Sequence, residues 1–235
     1  MTAVCVDTNL FLELYESNED LEAIVADLSA LAAHLVFPDI IIDEFLRNRW
    51  RVLDRIADDV RKREAGEIRL PSIVRDTQNA ASLQRSAEEY DRAIEALCND
   101  IESMIRDPAA DLIARAFTAL AGNPSVRVFR RTDELIMRAH RRKLLGNPPK
   151  SAGTDTIGDE LVWEVLLSNL EEDLILITRD RTYRNHAAYL LREYREMTGG
   201  ALTITDGISD ALVLVGRRAS PALIGFEGRS AANRG

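Results

Sequence analysis

The chain has 235 residues, 46% of them hydrophobic and 29% charged, which suits one large folded domain and excludes a disordered or fibrous chain. A net charge of -9 argues against a dedicated electrostatic DNA binder, and no apolar run approaches the ~18 residues of a membrane span. The two cysteines, Cys5 and Cys98, form neither a metal-ligand spacing nor a disulfide framework and read as reduced thiols of a cytoplasmic protein.

The opening Met1-Thr2-Ala3-Val4 has no basic leader region and runs straight into a strand over 3–7, short, apolar and sharply stopped. Residues 10–33 read as helix in two pieces, broken near Ser17-Asn18, and Leu35-Val36-Phe37 as a second strand closed by Pro38. Residues 39–64 carry a helical pattern with Ile41, Phe45, Leu46, Leu53 and Ile56 on one broad face. After Gly66 and Pro71, a long helix over about 74–106 places Leu83, Tyr90, Ile94 and Leu97 at helical spacing, and these are expected to bury against the core or a neighbour. A shorter helix follows from Asp107-Pro108 to about 120, and Gly122-Asn123-Pro124 turns the chain.

Residues 132–145 read as helix with Thr132 as N-cap, 146–153 as a loop, and 157–170 as helix. A strand over 174–178, a helix over 181–197, a strand over 201–204 and a short helix to about 213 complete the pattern. The alternation at the two ends predicts an α/β fold: a parallel central sheet of four to five strands with helices on both faces. The middle, about 66–125, reads as an all-helical insertion in a single domain over 1–215, and 216–235 as a flexible tail.

Four acidic residues stand where such a fold converges. Asp7 and Asp180 end apolar strands that are interior and parallel, and ligands bind at the carboxyl ends of such strands. Asp159 leads Val162, Trp163, Leu166 and Leu167 at i+3, i+4, i+7 and i+8, which puts it on a buried helix stripe. Glu44 lies on the helix after the second strand. Each has a plainer role: Asp7 and Asp180 as helix caps, Thr156-Ile157-Gly158-Asp159 as a capping box, Glu44 as a solvated residue beside Arg47. Together, carboxylates converging on one sheet edge repel one another and are costly without a cation, and a hard ion such as Mg²⁺ prefers oxygen ligands. A second asymmetry lies in residues 127–150, where Arg127, Arg130, Arg131, Arg138, His140, Arg141, Arg142, Lys143 and Lys150 face only Asp133 and Glu134. This points to an anionic partner or, more plainly, to a solvated helix face.

These residues carry a family resemblance. Val6-Asp7-Thr8-Asn9, Asp43-Glu44, Gly158-Asp159 and Thr178-Arg179-Asp180 resemble, in order and spacing, the motifs of PIN-like domains, a metal-dependent nuclease fold. The likeness covers roughly 1–55 and 130–215, and Arg141-Arg142-Lys143-Leu144-Leu145-Gly146-Asn147-Pro148-Pro149 resembles a larger, uncharacterised PIN-like branch.

The resemblance implies that Asp7, Glu44, Asp159 and Asp180 are the catalytic residues and hold one or two Mg²⁺ or Mn²⁺ ions. It implies that Thr8, Asn9 and Thr178 orient carboxylates or waters, with Asp155 and Glu164 in reserve. Arg138, Arg141, Arg142, Lys143 and Lys150 would grip a nucleic-acid backbone. RNA is then the expected substrate, DNA less so, and a toxin with an antitoxin or other protein partner, or a homodimer, is the expected setting. The alternative is an inactive PIN-like nucleic-acid-binding or scaffolding protein. A haloacid-dehalogenase-type phosphohydrolase fits poorly, because its Asp-x-Asp-x-Thr pattern is replaced by Asp7-Thr8-Asn9-Leu10-Phe11.

Overall fold

The computed structural model describes residues 2–150 and 156–232. In chain order the elements are β1 (Thr2–Val6), α1 (Thr8–Glu13) with a 3-10 turn (Leu14–Glu16), α2 (Leu21–Ala30), β2 (Val36–Pro38) and α3 (Asp39–Arg61). Then come α4 (Ser72–Arg75), α5 (Gln78–Arg106), α6 (Leu112–Ala121), β3 (Arg127–Phe129) and α7 (Asp133–Leu145). The last are α8 (Gly158–Asn169), β4 (Asp173–Ile177), α9 (Arg181–Asn185), α10 (Ala187–Thr198), β5 (Leu202–Thr205), α11 (Ile208–Leu214) and α12 (Pro221–Ala232).

All strand pairings among the described residues are parallel. One ladder has the order β1-β4-β5 and the other pairs β2 with β3. A parallel bridge from Val4 to Leu35 joins them, and the Val4 amide donates to the His34 carbonyl at 2.8 Å. The expected four to five parallel strands are thus present as five, in two ladders. β3 carried no strand signal because its three residues, Arg127-Val128-Phe129, are half-buried or exposed at an edge. Residues 3–6 of β1 and 174–177 of β4 are all buried, the continuous apolar run of an interior parallel strand.

The chain divides into two compact units, residues 1–47 with 116–235, and residues 48–115. In the first, Phe11, Phe37, Phe45 and Phe117 form an aromatic cluster with ring centroids 4.1–6.4 Å apart. The cluster fixes α1 against the start of α3 through edge-on and stacked contacts. α8 packs against α7, α10 and β2, and its residues 160–167 are all buried. A helix surrounded in this way is covered on every face, so its charged residues Glu160 and Glu164 are forced inside.

Three helix boundaries depart from expectation. The 181–197 helix breaks at His186, whose backbone (φ -112°, ψ 17°) is not helical. The N-cap of α8 is Ile157, one residue past the Thr156 that the capping-box pattern would place there. The 216–235 stretch carries α12, anchored by buried Leu223 and Phe226; its Gly, Ser and Arg content hid the two apolar anchors. α7 ends on Gly146 at φ +71°, whose N–H meets the Arg142 and Lys143 carbonyls, the left-handed stop that glycine adopts without strain.

The second unit is helical. Arg49 is buried and donates to Asp111 at 2.8 Å and to the Met104 and Ile105 carbonyls at 3.0 Å each. Asp111 in turn accepts from the Ala114 amide at the start of α6. Of the α5 residues expected to be buried, Ile94 is, in a stripe with Cys98 and Ile101, whereas Leu83, Tyr90 and Leu97 are each about half exposed. The 3.6-residue period serves two adjacent stripes, and the structure buries only one. No described helix is long and apolar enough to cross a membrane.

Candidate active site

β1 and β4 run side by side in register, Val6 opposite Ile177, so the residues that follow them emerge together. The Asp7 amide donates to the Ile177 carbonyl at 2.9 Å, and the Thr178 amide to the Thr205 carbonyl of β5 at 2.9 Å. The side chains then meet: the buried Thr178 hydroxyl donates to Asp7 Oδ2 at 2.6 Å. Asp7 Oδ1 accepts from the Asn9 amide at 3.3 Å, capping α1. One carboxylate thus serves both the plain capping role and a tie across two strands. Asp180 likewise caps α9 by accepting from the Thr182 amide at 2.7 Å, while its own amide donates to the Thr178 hydroxyl at 3.1 Å.

Glu44 reaches the same neighbourhood from α3. Thr8, one residue past Asp7 and almost fully buried, donates its hydroxyl to Glu44 Oε2 at 3.3 Å. The local cause is the aromatic cluster, in which Phe11 is one turn beyond Thr8 and Phe45 is adjacent to Glu44. Asp159 enters from the first turn of α8, half-buried. Its backbone carbonyl lies 3.4 Å from the buried Tyr183 hydroxyl of α9, which donates to it.

The electrostatics show how closely these groups sense one another. Burial pushes the Asp7 carboxyl up to about 6, with further upward push from Asp159 and Glu44, against the pull of the Thr178 and Asn9 hydrogen bonds. Burial and Asp159 also raise Glu44, opposed by the Thr8 hydroxyl and Arg47. Tyr183 is driven well above its ordinary value by burial first, then by Asp159, Asp7, Cys5 and Asp180. Its phenol stays neutral and is a donor. Among the described residues the carboxylates are not gathered into a group that could hold a metal ion as they stand; Asp7, Glu44 and Asp180 each rest on a separate hydroxyl or amide. The donor set nevertheless fits a hard divalent cation. All four residues offer oxygen, and the largely desolvated Asp7 is destabilised by its acidic neighbours, a cost a cation would offset.

The sequence profile of the PIN domain matches residues 4–183, which span all four acidic residues. The chain belongs to the PIN domain family. PIN domains are in general nucleases and typically use divalent metal ions. No curated protein and no solved structure matches the chain significantly.

Other expected residues of this PIN domain fall elsewhere. Asp155 lies outside the described residues. Glu164, expected in reserve, is buried and its carboxylate serves two arginines, with Oε1 on Arg142 at 2.7 Å and Oε2 facing Arg138 at 3.0 Å. Arg142, expected at the nucleic-acid face, is buried; Leu135, Ala139 and Arg142 fall at i, i+4 and i+7, a stripe consistent with that burial. Arg138 is half-exposed and tied to Glu164 and Ser168, and the Lys143 ammonium donates to the Thr156 carbonyl. Arg141 and Lys150 are exposed.

Two features went unread in the sequence. Glu160, next to Asp159, is fully buried, and neither of its carboxylate oxygens meets a partner from another residue. Burial raises its carboxyl against the pull of Lys143. The surrounding apolar residues of α8 were the available signal. Arg179, between Thr178 and Asp180, is buried; it pairs with Glu13, donates to the Asp206 carbonyl at 3.1 Å and lies over the Phe226 ring of α12. Its partners are too distant in sequence for any local pattern to reveal.

Proposed function

We propose that the protein is a metal-dependent endoribonuclease that hydrolyses phosphodiester bonds of single-stranded or structured RNA. The observation that carries the reading is Asp7: a half-buried carboxylate, fixed by Thr178 across β1 and β4, and repelled by Glu44 and Asp159. Asp7, Glu44, Asp159 and Asp180 would hold one or two Mg²⁺ or Mn²⁺ ions. Such an ion, when bound, acidifies a water and neutralises charge on the phosphoryl oxygens.

The chain's own contribution is orientation. Thr178 fixes the rotamer of Asp7, and Thr8 that of Glu44, so neither carboxylate spends binding energy on finding its pose. The amides of Asn9 and Thr182 hold Asp7 and Asp180 at the starts of their helices. Arg141 and Lys150, exposed, would meet the RNA backbone, with Arg138 and Lys143 after exchange of their present partners. A cytoplasmic toxin restrained by an antitoxin, or a homodimer, fits this activity.

A second reading, a PIN domain that binds nucleic acid or scaffolds without turnover, is favoured by the separate partners of Asp7, Glu44 and Asp180. Cleavage of labelled single-stranded RNA and its DNA equivalent, with Mn²⁺, Mg²⁺ or EDTA, separates the two. Metal-dependent cleavage by wild type, lost in a folded Asp7→Asn/Asp180→Asn variant, supports the nuclease. RNA binding unchanged by EDTA, without cleavage, supports the scaffold. Cleavage of DNA alone rejects the ribonuclease.

A further inference from the structure

The most heavily partnered cation described in the first unit stands behind Asp159. The Arg142 guanidinium, with its side chain 6% exposed, reaches three parts of the chain at once. Nε donates to Glu164 Oε1 of α8 at 2.7 Å. Nη1 and Nη2 grip both oxygens of Glu193 on α10 at 3.0 and 2.7 Å. Nη1 also donates to the Pro148 carbonyl, in the loop after α7, at 2.6 Å. Glu193 is held in turn by the Trp163 indole N–H at 2.8 Å.

These contacts surround the start of α8. Trp163 and Glu164 lie one turn beyond Asp159, so the grip on α8 falls immediately behind the proposed ligand. Lys143, the neighbour of Arg142 on α7, donates to the carbonyl of Thr156, three residues before Asp159. Thr182, two residues past Asp180, donates to the Lys150 carbonyl at 3.3 Å. The path from α7 into α8 is therefore pinned at 148, 150 and 156.

We infer that Arg142 is a positioning residue of the candidate site, setting the first turn of α8 and with it the Asp159 carboxylate, and that it is not a nucleic-acid contact. The inference rests on the metal-dependent reading above. Arginine is required because one planar fork meets acceptors on three elements, which the compact ammonium of lysine cannot span. The cluster holds its charge balance internally, Arg142 and Arg138 against Glu164 and Glu193, so it brings no net charge into the interior.

The test uses the full chain carrying Arg142→Lys or Glu193→Gln, with Arg141→Ala as a surface comparison. Mn²⁺ affinity is read by titration of the free-ion paramagnetic resonance signal. Binding of a fluorescein-labelled single-stranded RNA is read in EDTA, and folding by circular dichroism. We expect Mn²⁺ affinity to fall about 10-fold or more in both cluster variants, with RNA binding in EDTA unchanged. Arg141→Ala should leave Mn²⁺ affinity intact. Unchanged Mn²⁺ affinity in a folded Arg142→Lys overturns the positioning role alone. Weakened RNA binding in EDTA with intact Mn²⁺ affinity returns Arg142 to the nucleic-acid interface. Wild type that binds no Mn²⁺ overturns the metal reading and this inference together. Collapse of both cluster variants overturns it too, making Arg142 a folding residue.

Discussion

Thr178 donates its hydroxyl to Asp7 at 2.6 Å although 171 residues separate them. Thr178→Val keeps the β-branched shape and deletes the donor. Cleavage should fall about 10- to 100-fold with a higher Mn²⁺ requirement, whereas Thr178→Ser should retain most activity. A Mn²⁺ titration of cleavage rate checks this, and equal half-saturation in the Val variant would remove Thr178 from the site.

The raised Asp7 carboxyl makes stability depend on pH. In the folded protein Asp7 keeps its proton up to about pH 6, while in the unfolded chain it releases it near 4. The folded state thus binds more protons between those values, and its stability falls as pH rises through them. The Asp7 share is up to about 3 kcal/mol, present below pH 4 and gone above pH 6. Asp7→Asn should therefore melt higher than wild type at pH 8 in EDTA and lose this advantage at pH 4. A lower melting temperature at pH 8 would contradict the burial argument.

In the second unit, Arg49→Met removes the guanidinium that meets the buried Asp111 carboxylate at 2.8 Å. Urea unfolding should show a loss of about 3–5 kcal/mol. Arg49→Met/Asp111→Leu should recover most of it, short of about 1 kcal/mol for the α6 cap that Asp111 also supplies.

Glu227 of α12 accepts from the Ile208 and Ser209 amides, the latter at 3.1 Å, and from the Ser209 hydroxyl, at the start of α11. Glu227→Ala should cost about 1–2 kcal/mol in thermal or urea unfolding. A variant as stable as wild type would show that the Glu227 contacts at the start of α11 add nothing to stability.

What could be read from the sequence divides by range. β1 and β4 announce themselves as apolar runs because interior parallel strands are buried on both sides, and the positions of Asp7 and Asp180 follow from the strand ends alone. Asp159 was legible from the stripe of α8. β3 was not, since an edge strand of three half-covered residues has no apolar run to show. Arg142 was misread as a surface cation because charge was counted along the chain, while the i, i+4, i+7 stripe with Leu135 and Ala139 went unused. The partners of Arg179 and Glu227 come from remote elements, and side-chain ties of that kind leave no local pattern.

The placement of β1 between β2 and β4 also orders events during synthesis. Asp7 leaves the ribosome 171 residues ahead of the hydroxyl that holds it, and β1 as far ahead of its partner strand β4. At about 5–20 residues per second, that interval is roughly 10–30 s. Through it the first strand waits with an open edge, and no nascent chain shorter than β4 can assemble the carboxylates. A PIN domain so arranged cannot complete its carboxylate set until β4 has emerged.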